Sequence, residues 1–157
     1  MGQTTFTGPV VSGDQGPGTP TPNQGFALLE QQIGLASFGA AGSVDSVLYI
    51  PAGSIITGFT VDVLTASNNG TSSALLIGQT AGGTQYVTSV DLKSATGRIA
   101  YTYTAAQLAA MNGVTIAGVA APTPTLVNFR VTSVGTTGTA GYAVVTVKYA
   151  QLTSSYS

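Results

Sequence analysis

The 157-residue sequence contains no cysteine and no histidine. Their absence excludes disulfides, thiolate nucleophiles, imidazole bases and zinc sites with Cys or His ligands. Serine is plentiful, but a serine hydroxyl needs a base before it can act as a nucleophile, and no histidine is available for that role. We therefore expect a protein that is not an enzyme and that binds no metal or cofactor.

Charged residues are scarce. They make up only 6% of the chain, against roughly 25% in an average soluble domain. The net charge of −1 leaves no basic stripe for phosphates, so the sequence predicts no nucleic-acid partner. So little charge protects a monomer poorly against association, which indicates that other subunits cover much of the surface. A secreted domain with a Ser/Thr-rich surface is the alternative interpretation.

Long apolar runs are missing. No run approaches the roughly 18–20 residues that are needed to cross a bilayer. Residues 1–6 also lack the basic and apolar regions of a signal peptide. We expect no membrane partner, and a chain that is made and used without crossing a membrane by the general secretory route.

The sequence is rich in glycine, threonine and valine, which suits short strands joined by turns. Apolar residues recur with a period of two from Phe26 onward. Strands are predicted over residues 26–35, 44–50, 55–65, 74–77, 85–90, 98–104, 114–119, 125–134 and 142–151. A short helix is an alternative for the first of these, because Phe26, Leu29 and Ile33 also fit helical spacing.

Three local features complete the prediction. Asn68-Asn69-Gly70 indicates a type I′ hairpin turn, and Asn69-Gly70-Thr71, which also fits a glycosylation sequon, is explained by that turn. Residues 104–113 predict the one short helix, with Thr104 as its cap. In the strand over 55–65, one face is predicted to carry Ile55, Thr57, Phe59, Val61 and Val63.

Eight or nine short strands with one helix predict an all-β fold. The expected architecture is a jelly-roll-like β-sandwich of about eight strands, which forms one domain over residues 25–157. Residues 1–24 are predicted to form an extended N-terminal arm, because prolines and glycines fill the stretch 13–23. Phe6, Pro9, Val10 and Val11 precede that stretch, and we expect them to contact a partner subunit. A frayed terminus is the alternative for the arm.

No set of residues indicates catalysis. Asp45 and Asp62 could form a glycosidase-like pair only if the fold brings them together. The alternative is a solvated charge or an ion pair with Arg98 or Lys93. Ser94 beside Lys93 is interpreted as a chance neighbour, and Lys148 as an edge-strand lysine. For Tyr101 and Tyr103, core packing is favoured over sugar stacking or an interface.

This organisation resembles the small decoration, or cement, proteins of tailed bacteriophages. The resemblance rests on residues 6–13, on the Gly/Pro stretch after them, on residues 48–56 and on the closing strand over 141–149. It implies a structural virion protein, made in the host cytoplasm, that sits on the outer capsid surface as a homotrimer. Its partner would be the major capsid protein, whose neighbouring subunits it would bridge. The family supplies no catalytic residues.

The alternative function is a receptor- or glycan-binding module of a phage fibre or tail. Such a module needs exposed aromatic and carboxylate side chains on its loops. The loops here are rich in Gly, Thr, Ser and Asn, while the tyrosines lie mainly in predicted strands. A small hydrolase that uses a carboxylate pair ranks third.

Overall fold

The structure is a computed structural model, and it describes residues 26–36, 42–51, 54–112 and 124–152. The described strands are β1 (Phe26–Ala36), β2 (Gly42–Ile50), β3 (Ser54–Thr65), β4 (Ser72–Gly78), β5 (Val87–Asp91), β6 (Gly97–Ile99), β7 (Thr125–Val134) and β8 (Tyr142–Leu152). The helix α1 covers Ala105–Asn112. The all-β prediction is confirmed, and Phe26–Ala36 is a strand rather than a helix. The strand predicted over 114–119 and the arm over 1–24 lie outside the described residues.

The strands form two antiparallel sheets. Sheet I has the order β1-β8-β3-β6, and sheet II has the order β2-β7-β4-β5. The first and last strands of the chain are therefore neighbours, paired from Phe26 with Leu152 to Ala36 with Tyr142. This strand order is that of a jelly roll, so the predicted architecture is confirmed.

Contacts between the sheets show which edges lie together. The rings of Phe59 in β3 and Tyr86, just before β5, are 5.6 Å apart. The N–H of Thr88 in β5 donates to the hydroxyl of Tyr101, two residues after β6. Edge strands β5 and β6 therefore occupy one side of the sandwich. Edge strands β1 and β2 occupy the other side, which we call the β1–β2 side.

The core lies between the sheets and is filled by alternate residues of the central strands. Its fully or almost fully buried members include Val61, Val63, Leu75, Ile77, Val127, Phe129, Val145 and Val147. The register of β3 shifts at two places, and the first is a bulge between the register pairs of Ile56 and Gly58. Ile56 is buried and Thr57 is exposed, so the prediction that Ile55 and Thr57 share a face with Phe59 is wrong. A bulge adds one residue to a strand and shifts the phase of the side chains beyond it.

The connection between β3 and β4 is not a hairpin, because the two strands belong to different sheets. Neither the asparagines nor Gly70 have the positive φ angles of a type I′ turn. Instead, Asn69 is buried, and its amide donates to Ser133 Oγ and accepts from the N–H of Gly138, both at 2.7 Å. The loop is thus fixed by contacts with distant residues, and the side chain of the Asn69 sequon is inaccessible in the fold.

The predicted strand over 98–104 is shorter in the structure, where β6 ends at Ile99. Beyond the end of β6, the side chain of Tyr103 pairs with β3 instead. Its hydroxyl accepts from the N–H of Phe59 at 2.7 Å and donates to the carbonyl of Phe59 at 3.0 Å. Tyr101 and Tyr103 pack against the core, as predicted. The helix begins as expected. The N–H of Gln107 donates to Thr104 Oγ1, and the N–H of Thr104 donates to Gln107 Oε1, which together form a capping box.

Candidate functional site

Large apolar side chains are exposed mainly on the β1–β2 side. Nine large apolar residues are exposed among those the structure describes, and five of them belong to β1 or β2. The five are Leu28 (79% exposed), Tyr49 (63%), Val44 (61%), Val47 (47%) and Leu29 (38%). No other pair of strands comes near this number, so the β1–β2 side is the most apolar part of the described surface.

The strand register explains the exposure. Val47 and Tyr49 alternate with the inward residues Leu48 and Ile50, so they lie on the outer face of sheet II and point away from the core. Val44 lies opposite the buried Val131 and points inward, but none of the described strands flanks β2 on its outer edge to cover it. Leu29 in β1 lies opposite the buried Tyr149, so it likewise points inward at the outer edge of sheet I. The open side of the sandwich therefore exposes both outward side chains and the margin of the core.

The two edge strands are long and carry little charge. Strand β1 has 11 residues with Glu30 as its one charge, and β2 has 9 residues with Asp45 as its one charge. Proteins usually protect long edge strands from pairing with another chain by lysines, prolines or bulges. None of these occurs within the described β1 or β2. These edges are therefore suited to contact another chain.

One ion pair borders this side. The guanidinium of Arg130 in β7 donates two hydrogen bonds of 2.6 Å to the carboxylate of Asp45. These hydrogen bonds hold the pKa of Asp45 below its usual value. Gly82 leaves room for the pair, because a Cβ at that position would lie 2.5 Å from Arg130 Nη1. The charge of Asp45 is thus neutralised locally, and the side stays nearly free of uncompensated charge.

Asp45 and Asp62 do not come together. Asp45 projects from the outer face of sheet II, whereas Asp62 projects from the outer face of sheet I. Asp62 instead forms the ion pair with Arg98 that the sequence offered as an alternative, with Nε and Nη2 of Arg98 at 2.9 and 3.0 Å from its carboxylate oxygens. The fold therefore separates the two members of the carboxylate pair.

Lys93, Ser94 and Lys148 have structural contacts. Lys93 Nζ donates to the carbonyl oxygens of Asn69 and Gly70, and the hydroxyl of Ser94 donates to Asp91. Lys148 was predicted to lie on an edge, which is wrong, because β8 lies between β1 and β3. Its Nζ lies 3.7 Å from Glu30 Oε1 on the outer face of sheet I.

The predicted arm contacts Phe6, Pro9, Val10 and Val11 lie outside the described residues. The apolar residues of the β1–β2 side were not singled out from the sequence, although one signal was present. The run Val47-Leu48-Tyr49-Ile50 is apolar on both faces of its strand, which is unusual for a strand with one face in water. Such a run indicates either a central strand or an edge strand that a partner covers.

The described ranges contain neither a cluster of potential metal ligands nor a helix that could span a membrane. No group of three Asp or Glu side chains lies close enough together there to hold a metal ion. No helix in those ranges has the length and apolar composition needed to span a membrane. Comparison of the chain with protein-family models, curated proteins and solved structures found no match.

Proposed function

We propose that the chain is a structural virion protein that binds the outer capsid surface as a trimer and bridges major capsid subunits. The observation that carries this proposal is the concentration of exposed apolar side chains on the β1–β2 side. Burying such side chains in a subunit interface is favourable, and aromatic residues such as Tyr49 are enriched in interfaces. Jelly rolls are also a common fold of viral structural proteins.

The proposed occupant of the β1–β2 side is a second copy of the chain. An identical copy brings no large charge, since the whole chain carries a net charge of −1 and the two edges have one acid each. The long edge strands offer backbone donors and acceptors that a neighbour can pair with. Three copies related by a three-fold axis form a closed ring, in which each β1–β2 side contacts the next subunit.

Contact with the capsid is assigned to the arm. Residues 1–24 join the domain just before Phe26, the first residue of edge strand β1. Phe6, Pro9, Val10 and Val11 are the arm residues that would bind the major capsid protein. A trimer carries three arms, and their joint attachment multiplies the effective affinity without any new type of contact.

The trimer is tested by size-exclusion chromatography with light scattering on a matched pair of variants. Val47→Asp places a charge on the β1–β2 side, and Val134→Asp places one at an equally exposed valine, since the two residues are 47% and 48% exposed. We expect trimers for the wild type and for Val134→Asp, and monomers for Val47→Asp at micromolar concentration. A monomeric wild type, or equal behaviour of the two variants, would contradict the proposed interface.

The capsid role is tested by cosedimentation with expanded and unexpanded capsids. The full chain is expected to bind the expanded form and not the unexpanded form. Deletion of residues 1–24 should weaken binding while circular dichroism and trimer formation stay unchanged. If the deletion variant binds as tightly as the full chain, the arm is not the capsid contact.

A further inference from the structure

Much of the scarce charge lies on the outer face of sheet I. The chain has nine charged residues, and four of them project from this face. The four are Glu30 in β1, Lys148 in β8, Asp62 in β3 and Arg98 in β6. Two acids and two bases make the face formally neutral. It differs in this respect from the apolar β1–β2 side.

These residues surround a small concavity. It has a volume of about 180 Å³ and is lined by Glu30, Gln32, Thr60, Arg98, Thr146 and Lys148. The register places Gln32, Thr146 and Thr60 side by side across the sheet, so they form the floor. Glu30 and Lys148 lie to one side of that row, and Arg98 lies to the other.

Hydrogen bonds fix the orientation of the polar groups. Gln32 Nε2 donates to Thr146 Oγ1 at 3.1 Å, which leaves Gln32 Oε1 directed away from that bond. Arg98 uses Nε and Nη2 for Asp62, so its Nη1 is available to a ligand while the guanidinium plane is held. Lys148 and Glu30 form the looser pair at 3.7 Å. The Gln32 amide and the Arg98 guanidinium are thus held in fixed orientations at the concavity.

An aromatic ring lies further along the same face. Tyr142 projects outward from β8 and is 43% exposed. Its ring extends over Gly34 of β1, because a Cβ at Gly34 would lie 2.0 Å from the Tyr142 hydroxyl and 2.8 Å from Cζ. Gly34 is two residues from Gln32 on the same face, so the ring lies next to the polar floor.

We propose that this face, formed by Glu30, Gln32, Thr60, Arg98, Thr146, Lys148 and Tyr142, binds a neutral saccharide. A sugar ring has hydroxyls around its rim, each a donor and an acceptor, and apolar C–H groups on its faces. Fixed planar groups such as the Gln32 amide and the Arg98 guanidinium match neighbouring hydroxyls. An aromatic ring offers an apolar surface to the C–H groups.

The size and charge of the site support this class of ligand. A concave site with a few fixed polar groups is typical of small ligands, whereas protein partners contact much larger areas. The site itself has one acid and two bases, but Arg98 is paired with Asp62 next to it, so the face as a whole has two acids and two bases and offers no net attraction for a charged sugar or a phosphate. The site lies on a sheet rather than on loops, and it extends from β1 across β8 and β3 to Arg98 in β6, so it shares only strand β1 with the β1–β2 side that the proposed trimer uses.

The test uses a printed array of neutral and acidic oligosaccharides, followed by saturation-transfer NMR with any neutral oligosaccharide that binds. The variants are Gln32→Leu and Tyr142→Ala, and the matched control is Gln31→Leu. Gln31 is the neighbouring residue on β1, points inward, and donates to Tyr149. We expect the wild type and Gln31→Leu to bind a neutral glycan, and Gln32→Leu and Tyr142→Ala to lose about tenfold in affinity, as the loss of one or two oriented contacts implies.

Three results would overturn the proposal. They are no binding to any neutral glycan, binding to acidic glycans alone, and binding that Gln32→Leu and Tyr142→Ala leave unchanged. If Gln32→Leu instead weakens capsid binding while glycan binding stays at background, the face is a protein contact. Trimer formation is measured for every variant, so a failure of this proposal is separable from a failure of the proposed function.

Discussion

Replacing Tyr103 by phenylalanine removes a hydroxyl that satisfies two backbone groups of β3 where β6 no longer pairs with it. Strand β6 pairs with β3 only from Val61 to Val63, so it does not reach Phe59. The Tyr103 hydroxyl accepts from the Phe59 N–H and donates to the Phe59 carbonyl, and so serves both backbone groups on that side of β3. Burial raises the pKa of Tyr103, so the hydroxyl keeps its proton through the neutral range.

The cost of Tyr103→Phe follows from the two groups that lose their partner. Each buried backbone group without a hydrogen bond costs about 1–3 kcal/mol. Tyr103 is only partly buried, so water replaces some of the loss, and we expect the free energy of unfolding to fall by about 2 kcal/mol in total. The phenylalanine ring keeps the packing with Tyr101, whose centroid is 5.1 Å away.

The measurement is urea unfolding followed by circular dichroism, with all proteins at the same protomer concentration, because assembly adds to apparent stability. Tyr142→Phe is the control, since the Tyr142 hydroxyl has no hydrogen-bond partner among the described residues. We expect a change of less than about 0.5 kcal/mol for the control. If both variants lose equally little, the Tyr103 hydroxyl does not complete the sheet, and our account of why β6 ends early is wrong.

Asn69→Ala should lower the free energy of unfolding by about 2–3 kcal/mol in urea titrations, because the N–H of Gly138 loses its acceptor in a buried loop and Ser133 Oγ keeps only its 3.5 Å contact with Ser73 Oγ. The exposed Thr137→Ala is its control, and equal losses would refute this role of Asn69. Stability should be flat between about pH 5 and 8, because the chain has no histidine or cysteine to titrate there. The hydrogen bonds from Arg130 lower the pKa of Asp45, so the contribution of that pair is present above the unfolded-state pKa and is lost as the pH falls through the folded-state value, below about pH 4. In thermal melts, the difference between wild type and Asp45→Asn should therefore shrink as the pH falls through the acid range, and a difference that does not change with pH would contradict the pair.

Local alternation was sufficient to predict most strands. The strands over 55–65, 125–134 and 142–151 agree with β3, β7 and β8 within a residue or so, because a half-buried strand repeats its side chains with a period of two. The capping box of α1 was predicted in part, since Thr104 lies directly before an alanine-rich stretch. These features depend on residues that are only a few positions apart, so the local sequence contains all the information that determines them.

Strand partners, edges and sites depend on residues that are far apart in sequence. Lys148 was predicted on an edge, and the tertiary structure places it in the interior of sheet I, because β1 pairs with a strand more than a hundred residues later. The Asn68-Asn69-Gly70 turn was misread for the same reason, since Ser133 and Gly138 determine its conformation. The low charge of the sequence indicated that part of the surface is covered by other subunits. Only the pairing of the sheets decided that Val44, Val47 and Tyr49 lie on an open side, because exposure depends on which strands flank a residue and not on the residue itself.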